Sequence, residues 1–530
     1  MAFKKPLQSL FAGACKARNL RRFSAAPEGS SASLQSSHRL IDLEYQCSAH
    51  NYHPIPIVFS KAKGSSIWDP EGNRYVDFLS AYSAANQGHC HPKIVKALVE
   101  QAEKLTLSSR AFYNDIFPVF ANKLTSMLGY DMVLPMNTGA EGVETALKLA
   151  RKWGYLKKGI PRDEDGEFGL SLHRSGGSIC SGVVRRGVAQ SGQRICFGLQ
   201  LRLKLKFLTA VFYLNDLGMQ AIIVSCCGCF HGRTLAAISM SCDSDATRGF
   251  GPLLPGHLKV DFGDITALEK IFKEKGDRIA GFLFEPIQGE AGVVIPPEGY
   301  LRDVRRLCDE YNILMIADEI QSGLGRSGRL LACDWDNIVP DVVILGKALG
   351  GGVLPVSAVL AHKDIMLCIQ PGEHGSTFGG NPLASAIAIA SLDVIIDEKL
   401  SQRSDELGKE LRQQLAKVQQ KFPELIKEVR GKGLFNAVEL NSKALSPVTA
   451  YDICLKLKER GILAKPTHDS IIRLTPPLTI SLDELQEGSK ALHDVLEHDL
   501  SKMKKEKPNA PSHAASDACD RCGRNLYGSS

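Results

Sequence analysis

Four short apolar runs constrain this chain more than any other feature. Ala221–Ser225, Ile279–Glu285, Ile313–Asp318 and Val342–Gly346 each end in or run into a polar residue. Runs of this length, rich in branched side chains, read as buried strands. Helical patterns such as Leu301–Tyr311 lie between some of them. Alternating strands and helices imply an α/β fold: a mostly parallel sheet covered by helices. Ligands bind such sheets beyond the carboxyl ends of the strands, and that is where the polar residues fall.

The last run leads into Gly346-Lys347-Ala348-Leu349-Gly350-Gly351-Gly352. The glycines permit a tight turn and a close approach. Lys347 then has two readings. One is a surface lysine that follows a strand. The other is a lysine in an apolar pocket, its pKa lowered, able to form a Schiff base.

If the partner is pyridoxal phosphate, two further groups are needed. A carboxylate must face the pyridine nitrogen to keep the ring electron-withdrawing, and a helix N-terminus must cradle the phosphate. Asp318 ends the strand Ile313–Asp318 and suits the first role, although a helix cap or surface acid fits its position equally well. Thr138-Gly139-Ala140 precedes a helical pattern at 141–154 and suits the second.

Four motifs in order bear on the choice: Glu285-Pro286-Ile287-Gln288-Gly289-Glu290, Asp318-Glu319-Ile320-Gln321-Ser322-Gly323, Gly346–Gly351, and Gly375-Ser376-Thr377-Phe378-Gly379-Gly380-Asn381-Pro382. Together they resemble the class III (ω-amino-acid) aminotransferases of fold type I. The stretches 50–54, 81–92, 107–113 and 463–468 narrow the resemblance to the branch acting on the δ-amine of ornithine, in its plant form. It covers about 38 to 500, except 165–220. It implies a fold type I transferase with a large, mostly parallel-sheet domain and a smaller α+β domain.

The resemblance also implies roles. Lys347 carries the Schiff base and moves the proton. Asp318 pairs with the pyridine nitrogen, Gln321 bonds the ring oxygen, and Phe230 stacks on the ring. Gly139 and Ala140 offer amides to the phosphate, with Ser376 alongside and Thr377 reaching in from a second subunit, so the enzyme is a homodimer or higher homo-oligomer. Arg233 holds the α-carboxylate of ornithine and Tyr52 its α-amine. Tyr82 favours this donor over simpler ω-amines. Arg473 binds the α-carboxylate of 2-oxoglutarate, and Glu290 neutralises it while ornithine is seated. One departure from the pattern is His231, where the related stretch commonly has an aromatic after Phe230; it alters the pocket wall without removing a catalytic group. The reaction implied yields glutamate 5-semialdehyde, which cyclises to pyrroline-5-carboxylate, in arginine catabolism and proline metabolism. Acetylornithine or 4-aminobutyrate transfer is the alternative within the class.

Composition excludes other classes. Charged residues make up 23% and the net charge is +6, mostly from the two ends and a middle segment, so nothing indicates a nucleic-acid partner. No run of 18 uncharged apolar residues is present, so no membrane span is expected. The fifteen cysteines lack a secretory context and do not suggest a disulfide framework, and Cys226, Cys227 and Cys229 are spaced too tightly for a metal cage and read as buried thiols. Cys519 and Cys522 make a lone CxxC, which a redox pair or half of a zinc site would also use but which here reads as part of a disordered polar tail.

Pattern divides the chain into six parts. Residues 1–27 are basic and acid-free, with Arg21-Arg22-Phe23-Ser24 resembling a matrix-protease site. They read as a transit peptide to the mitochondrial matrix. A linker at 28–37 follows, then a segment at 38–110 that joins the smaller domain. The large cofactor-binding domain spans 111–379, the smaller one 380–500, and a flexible tail 501–530. The stretch 165–220 interrupts the large domain without helical period, and structureless loops of this length are uncommon inside a compact domain. It is read as translated intron: Gly166-Glu167 and Met219-Gln220 are encodable by common splice-donor and acceptor sequences. If it disrupts the strand leading to Phe230, the product is an inactive isoform; if it is extruded, loop closure adds only on the order of 2 kcal/mol and the fold tolerates it. Finding only transcripts that contain the segment would sink the intron reading.

Overall fold

The computed structural model describes residues 36–161 and 221–507. Residues 1–35, 162–220 and 508–530 lie outside these, and with them the transit segment, most of the linker, the 165–220 insertion and the Cys519/Cys522 tail.

The N-terminal strands β1 (Lys61–Lys63), β2 (Ser66–Trp68) and β3 (Arg74–Asp77) form an antiparallel meander. The central sheet has seven strands: β4 (Met132–Met136), β5 (Ile222–Cys226), β6 (His257–Val260), β7 (Ile279–Phe284), β8 (Leu314–Asp318), β9 (Val342–Leu345) and β10 (Ser357–Ala361). Their order is β4-β10-β9-β8-β7-β5-β6. Pairing is parallel from β9 to β6, whereas β10 is antiparallel to both β9 and β4. β5 and β7 to β10 are buried along their whole length, which explains their continuous apolar runs.

A third sheet joins β11 (Ile426–Lys432), β12 (Phe435–Leu440), β14 (Lys465–Thr467) and β15 (Ile471–Leu474), and β13 (Ile462–Leu463) instead pairs in parallel with β3. The helix Leu400–Lys421 packs on this sheet through Gly408, where a Cβ would stand 1.8 Å from the Gly433 carbonyl oxygen. Only glycine allows that approach.

Two boundaries are corrected. The tail reading began at 501, but the helix Leu500–Glu506 continues the chain there. Met503 is buried, and Lys504 donates 2.5 Å to the Ala444 carbonyl. The linker reading ran to 37, but Ser36 caps a helix Ser37–Cys47 whose first residue bonds Glu71. Short contacts to distant segments override local polarity in both places.

The helix Gly139–Trp153 places the site. Thr138 and Glu141 form a reciprocal capping box at its start. Val143, Ala146, Leu147 and Ala150 bury against Ile223, Leu283, Ile316 and Ile344 of the sheet. Gly142 lets the helix close on Ile344, where a Cβ would lie 2.9 Å from Cγ2.

A left-handed turn precedes this region. Ser80, Ala81, Tyr82 and Ser83 all have positive φ, at 54, 44, 58 and 74°. Such backbone costs roughly 1–2 kcal/mol per non-glycine residue, so it needs support. The Asp77 carboxylate accepts from the Leu79 and Ser80 amides at 2.8 and 2.9 Å. The buried Arg326 donates to Ser80 Oγ at 3.2 Å and to the Leu434 and Pro476 carbonyls at 2.9 and 2.6 Å. It thereby ties the turn to the central and third sheets.

Candidate active site

Parallel strands end on one side of the sheet, and their ends bring distant polar residues together. In register, Asp318 of β8 stands opposite Ile344 of β9, three residues before Lys347. Lys347 itself has φ 41° at the start of a short 3-10 turn. Left-handed backbone at a non-glycine residue is the kind of strain that collects at functional sites.

One cavity of about 220 Å3 is lined by Lys347, Asp318, Gln321, Gly139, Ala140 and Phe230, together with His231, Gly232, Glu285 and Ile320. The first six were expected from the sequence. Gly139 and Ala140 open their helix, so their amides have no acceptor one turn back. A Cβ on Gly139 would stand 2.9 Å from Ile320 Cδ1. Burial holds the Lys347 ammonium's pKa below its ordinary value, against the opposing pull of Asp318, Glu290 and Glu285.

Arg233 and Glu290 line an adjoining cavity of about 560 Å3 that shares Phe230, His231 and Gly232 with the first. The Arg233 guanidinium lies 5.2 Å from the Phe230 ring centroid. Arg473 of β15 is buried, and its Nη1 and Nη2 donate to Glu290 Oε1 and Oε2 at 2.9 and 3.3 Å. Nη1 also reaches Gln321 Oε1 at 3.4 Å. The same guanidinium covers the Tyr82 ring at 4.5 Å. Burial lowers the ionisation of Tyr82, with Arg473 opposing. Burial would raise the Glu290 carboxyl too, but Arg473 outweighs it and holds it low.

Three expected residues lie at the edge. Tyr52 is 80% exposed, yet near enough to act on the Tyr82 phenol. Ser376 Oγ accepts from Asn137 Nδ2 at 2.7 Å, beside the helix start. Thr377 is exposed, next to Phe378, also exposed.

Two buried residues were not assigned a working role. Glu285, the first residue of its motif, accepts from the Phe230 and Gly289 amides at 3.0 and 3.1 Å. Burial pushes its carboxyl up to about 7. His231 Nδ1 lies 2.7 Å from Asp318 Oδ2. Among the described residues no group of three His, Cys, Asp or Glu side chains is placed to hold a metal ion, and no helix is long and apolar enough to cross a membrane.

Residues 47–496 match the family model described as aminotransferase class-III. The chain is 65% identical over 508 residues to the mitochondrial ornithine aminotransferase of Arabidopsis thaliana, covering 96% of this chain and 95% of that protein. It is 62% identical to the mitochondrial ornithine aminotransferase of Oryza sativa subsp. japonica, over 97% and 96% of the two. A solved ornithine aminotransferase from Toxoplasma gondii, with partial occupancy of PLP at its active site, shares 40% identity. Its TM-score is 0.75, over 90% of this chain and 97% of that one.

Proposed function

The chain belongs to the class III aminotransferase family, and we propose that it transfers the δ-amino group of L-ornithine to 2-oxoglutarate. The products are glutamate 5-semialdehyde, which cyclises to pyrroline-5-carboxylate, and glutamate. The observation that carries this reading is the shared cavity of Lys347, Asp318 and the Gly139 helix start, with the Arg473–Glu290 pair at its side.

The cofactor is pyridoxal 5′-phosphate, and the donor set fits it. A lysine, a buried carboxylate and an aromatic side chain, Phe230, line one cavity with a helix N-terminus that offers amides for an anion. Lys347 would hold it covalently, Asp318 at the ring nitrogen, Gln321 at the ring oxygen, Phe230 against its face, and Gly139, Ala140 and Ser376 around the phosphate. The partner subunit's Thr377 would complete the phosphate site in a homodimer. Exposure of Phe378, Phe112 and Tyr113 supports a covering second copy. When bound, the cofactor supplies an electron sink that carries the amino group from donor to acceptor.

The chain's own residues do the rest. Lys347 Nζ, once released by the incoming donor amine, would serve as the base at Cδ of the seated ornithine, and its depressed pKa suits a base working near neutrality. Arg233 forks onto the α-carboxylate of ornithine, Tyr52 meets the α-amine, and Tyr82 shapes the space between. Glu290 covers Arg473 during this half of the reaction, so a donor without a second carboxylate meets no bare cation. When 2-oxoglutarate enters, Glu290 turns away and Arg473 takes the α-carboxylate. Residues 1–27 direct the chain to the mitochondrial matrix.

The test is turnover of the cofactor-loaded chain with three donors: ornithine, N-acetylornithine and 4-aminobutyrate. Ornithine should exceed the others by tenfold or more in kcat/KM. Preference for another donor would replace the substrate while keeping the family. No turnover of any donor would identify an inactive product.

A further inference from the structure

Both carboxylate oxygens of Asp318 are engaged by neighbours in the cavity wall. Its Oδ1 accepts from the Ile320 amide at 3.1 Å, and its Oδ2 from His231 Nδ1 at 2.7 Å. Both side chains are buried, the histidine completely. The backbone around His231 is pinned from several directions. The preceding amide, Phe230, donates to Glu285 at 3.0 Å. The following residue, Gly232, has φ 122° and lies where a Cβ would press on Ala140 Cβ at 3.0 Å. His231 Nε2 has no hydrogen-bond partner. The ring is thus held by its loop and by the short bond to Asp318, with Cys229 beside it. A buried hydrogen bond between ionisable partners is short and orienting, and an unpaired face of a buried ring is a cost that structure alone does not require.

We propose that His231 is a positioning residue: its Nδ1–H fixes the plane of the Asp318 carboxylate so that the remaining lone pairs point at the ring nitrogen of the bound cofactor. The proposal rests on the pyridoxal phosphate reading and deepens it. Burial draws the His231 imidazolium down, but the neighbouring Cys229 and Asp318 outweigh it, and its pKa lies above that of an ordinary histidine. Glu285 is the remaining acid that faces it. An ionised carboxylate only accepts, so the proton of this bond sits on Nδ1.

The test uses three variants of the full chain. Asparagine places an amide N–H near the position of Nδ1, glutamine near that of Nε2, and alanine places none. Two quantities are read: affinity of the apo-protein for pyridoxal phosphate by absorbance titration, and kcat against KM for ornithine. H231A and H231Q should lose tenfold or more in cofactor affinity and in kcat, with KM for ornithine within twofold. H231N should recover both to within about threefold of wild type. If H231A does not fold, the H231N and H231Q pair carries the comparison. H231Q equal to H231N, or H231A within twofold of wild type, overturns the proposal. Wild-type protein that takes up no pyridoxal phosphate overturns the cofactor reading along with it, whereas uptake and turnover unchanged by all three variants overturns the positioning role alone.

Discussion

The Arg473 guanidinium forks onto both carboxylate oxygens of Glu290, at 2.9 and 3.3 Å, with its face on the Tyr82 ring at 4.5 Å. A buried cation is thus neutralised by an acid on a different segment, 183 residues away. On the proposed reading the pair is a gate whose state depends on whether a competing carboxylate is present.

Breaking the gate should change donor choice. In E290Q the guanidinium keeps its place but loses its counter-charge, and a donor carboxylate can supply it. A charge-assisted hydrogen bond is worth roughly 1.5–3 kcal/mol. Steady-state kinetics should show kcat/KM for 4-aminobutyrate rising on the order of tenfold or more, and KM for 2-oxoglutarate falling. Unchanged donor ratios would contradict the gate.

Removing the cation should act on one half-reaction. R473A leaves Glu290 without its partner and the oxo acid without its anchor. The KM for 2-oxoglutarate should rise by roughly 30-fold, about 2 kcal/mol. Single-turnover reaction with ornithine should change far less, and equal losses in both halves would argue against the division of labour.

The left-handed turn allows a glycine comparison. Ala81 has φ 44° and ψ 47° and is exposed, whereas Ala84 has φ −78° and ψ −29°. Glycine relieves left-handed strain but costs backbone entropy elsewhere. Thermal unfolding should place A81G at or above wild type, and A84G below it by an amount equivalent to roughly 0.5–1 kcal/mol.

Cys242 should be an unusually reactive thiol. Its Sγ lies 2.9 Å from Cys227 Sγ. That contact, helped by Lys259 and opposed by burial, brings its pKa down to about 7. An ordinary cysteine titrates near ~8.5. A lowered pKa enlarges the thiolate fraction at neutral pH, so the iodoacetamide rate at Cys242, followed by peptide mass, should reach half its maximum near pH 7. In C227A that midpoint should move up towards the ordinary value.

Much of the central sheet was legible because its strands are buried on both faces and read as apolar runs. The antiparallel strand β10, the parallel edge strand β6 and the edge strand β11 were not legible. β11, Ile426–Lys432, is largely polar and half-exposed, and its pairing with β12 decides its structure. The cavity residues were legible at the strand ends and in the motifs. The left-handed turn was not, since Ser80–Ser83 contains no glycine and is held by Asp77, Arg326 and Thr475 from outside. His231 escaped for a similar reason. Its working partner, Asp318, is 87 residues distant, and a histidine beside Phe230 reads locally as pocket wall.

Lys347 is the residue proposed to hold the cofactor. Borohydride reduction of the pyridoxal phosphate-loaded chain, followed by peptide mapping, tests it most directly. The expected result is one phosphopyridoxyl group per chain, on Lys347. Label on another lysine, or no incorporation into folded protein, would contradict it.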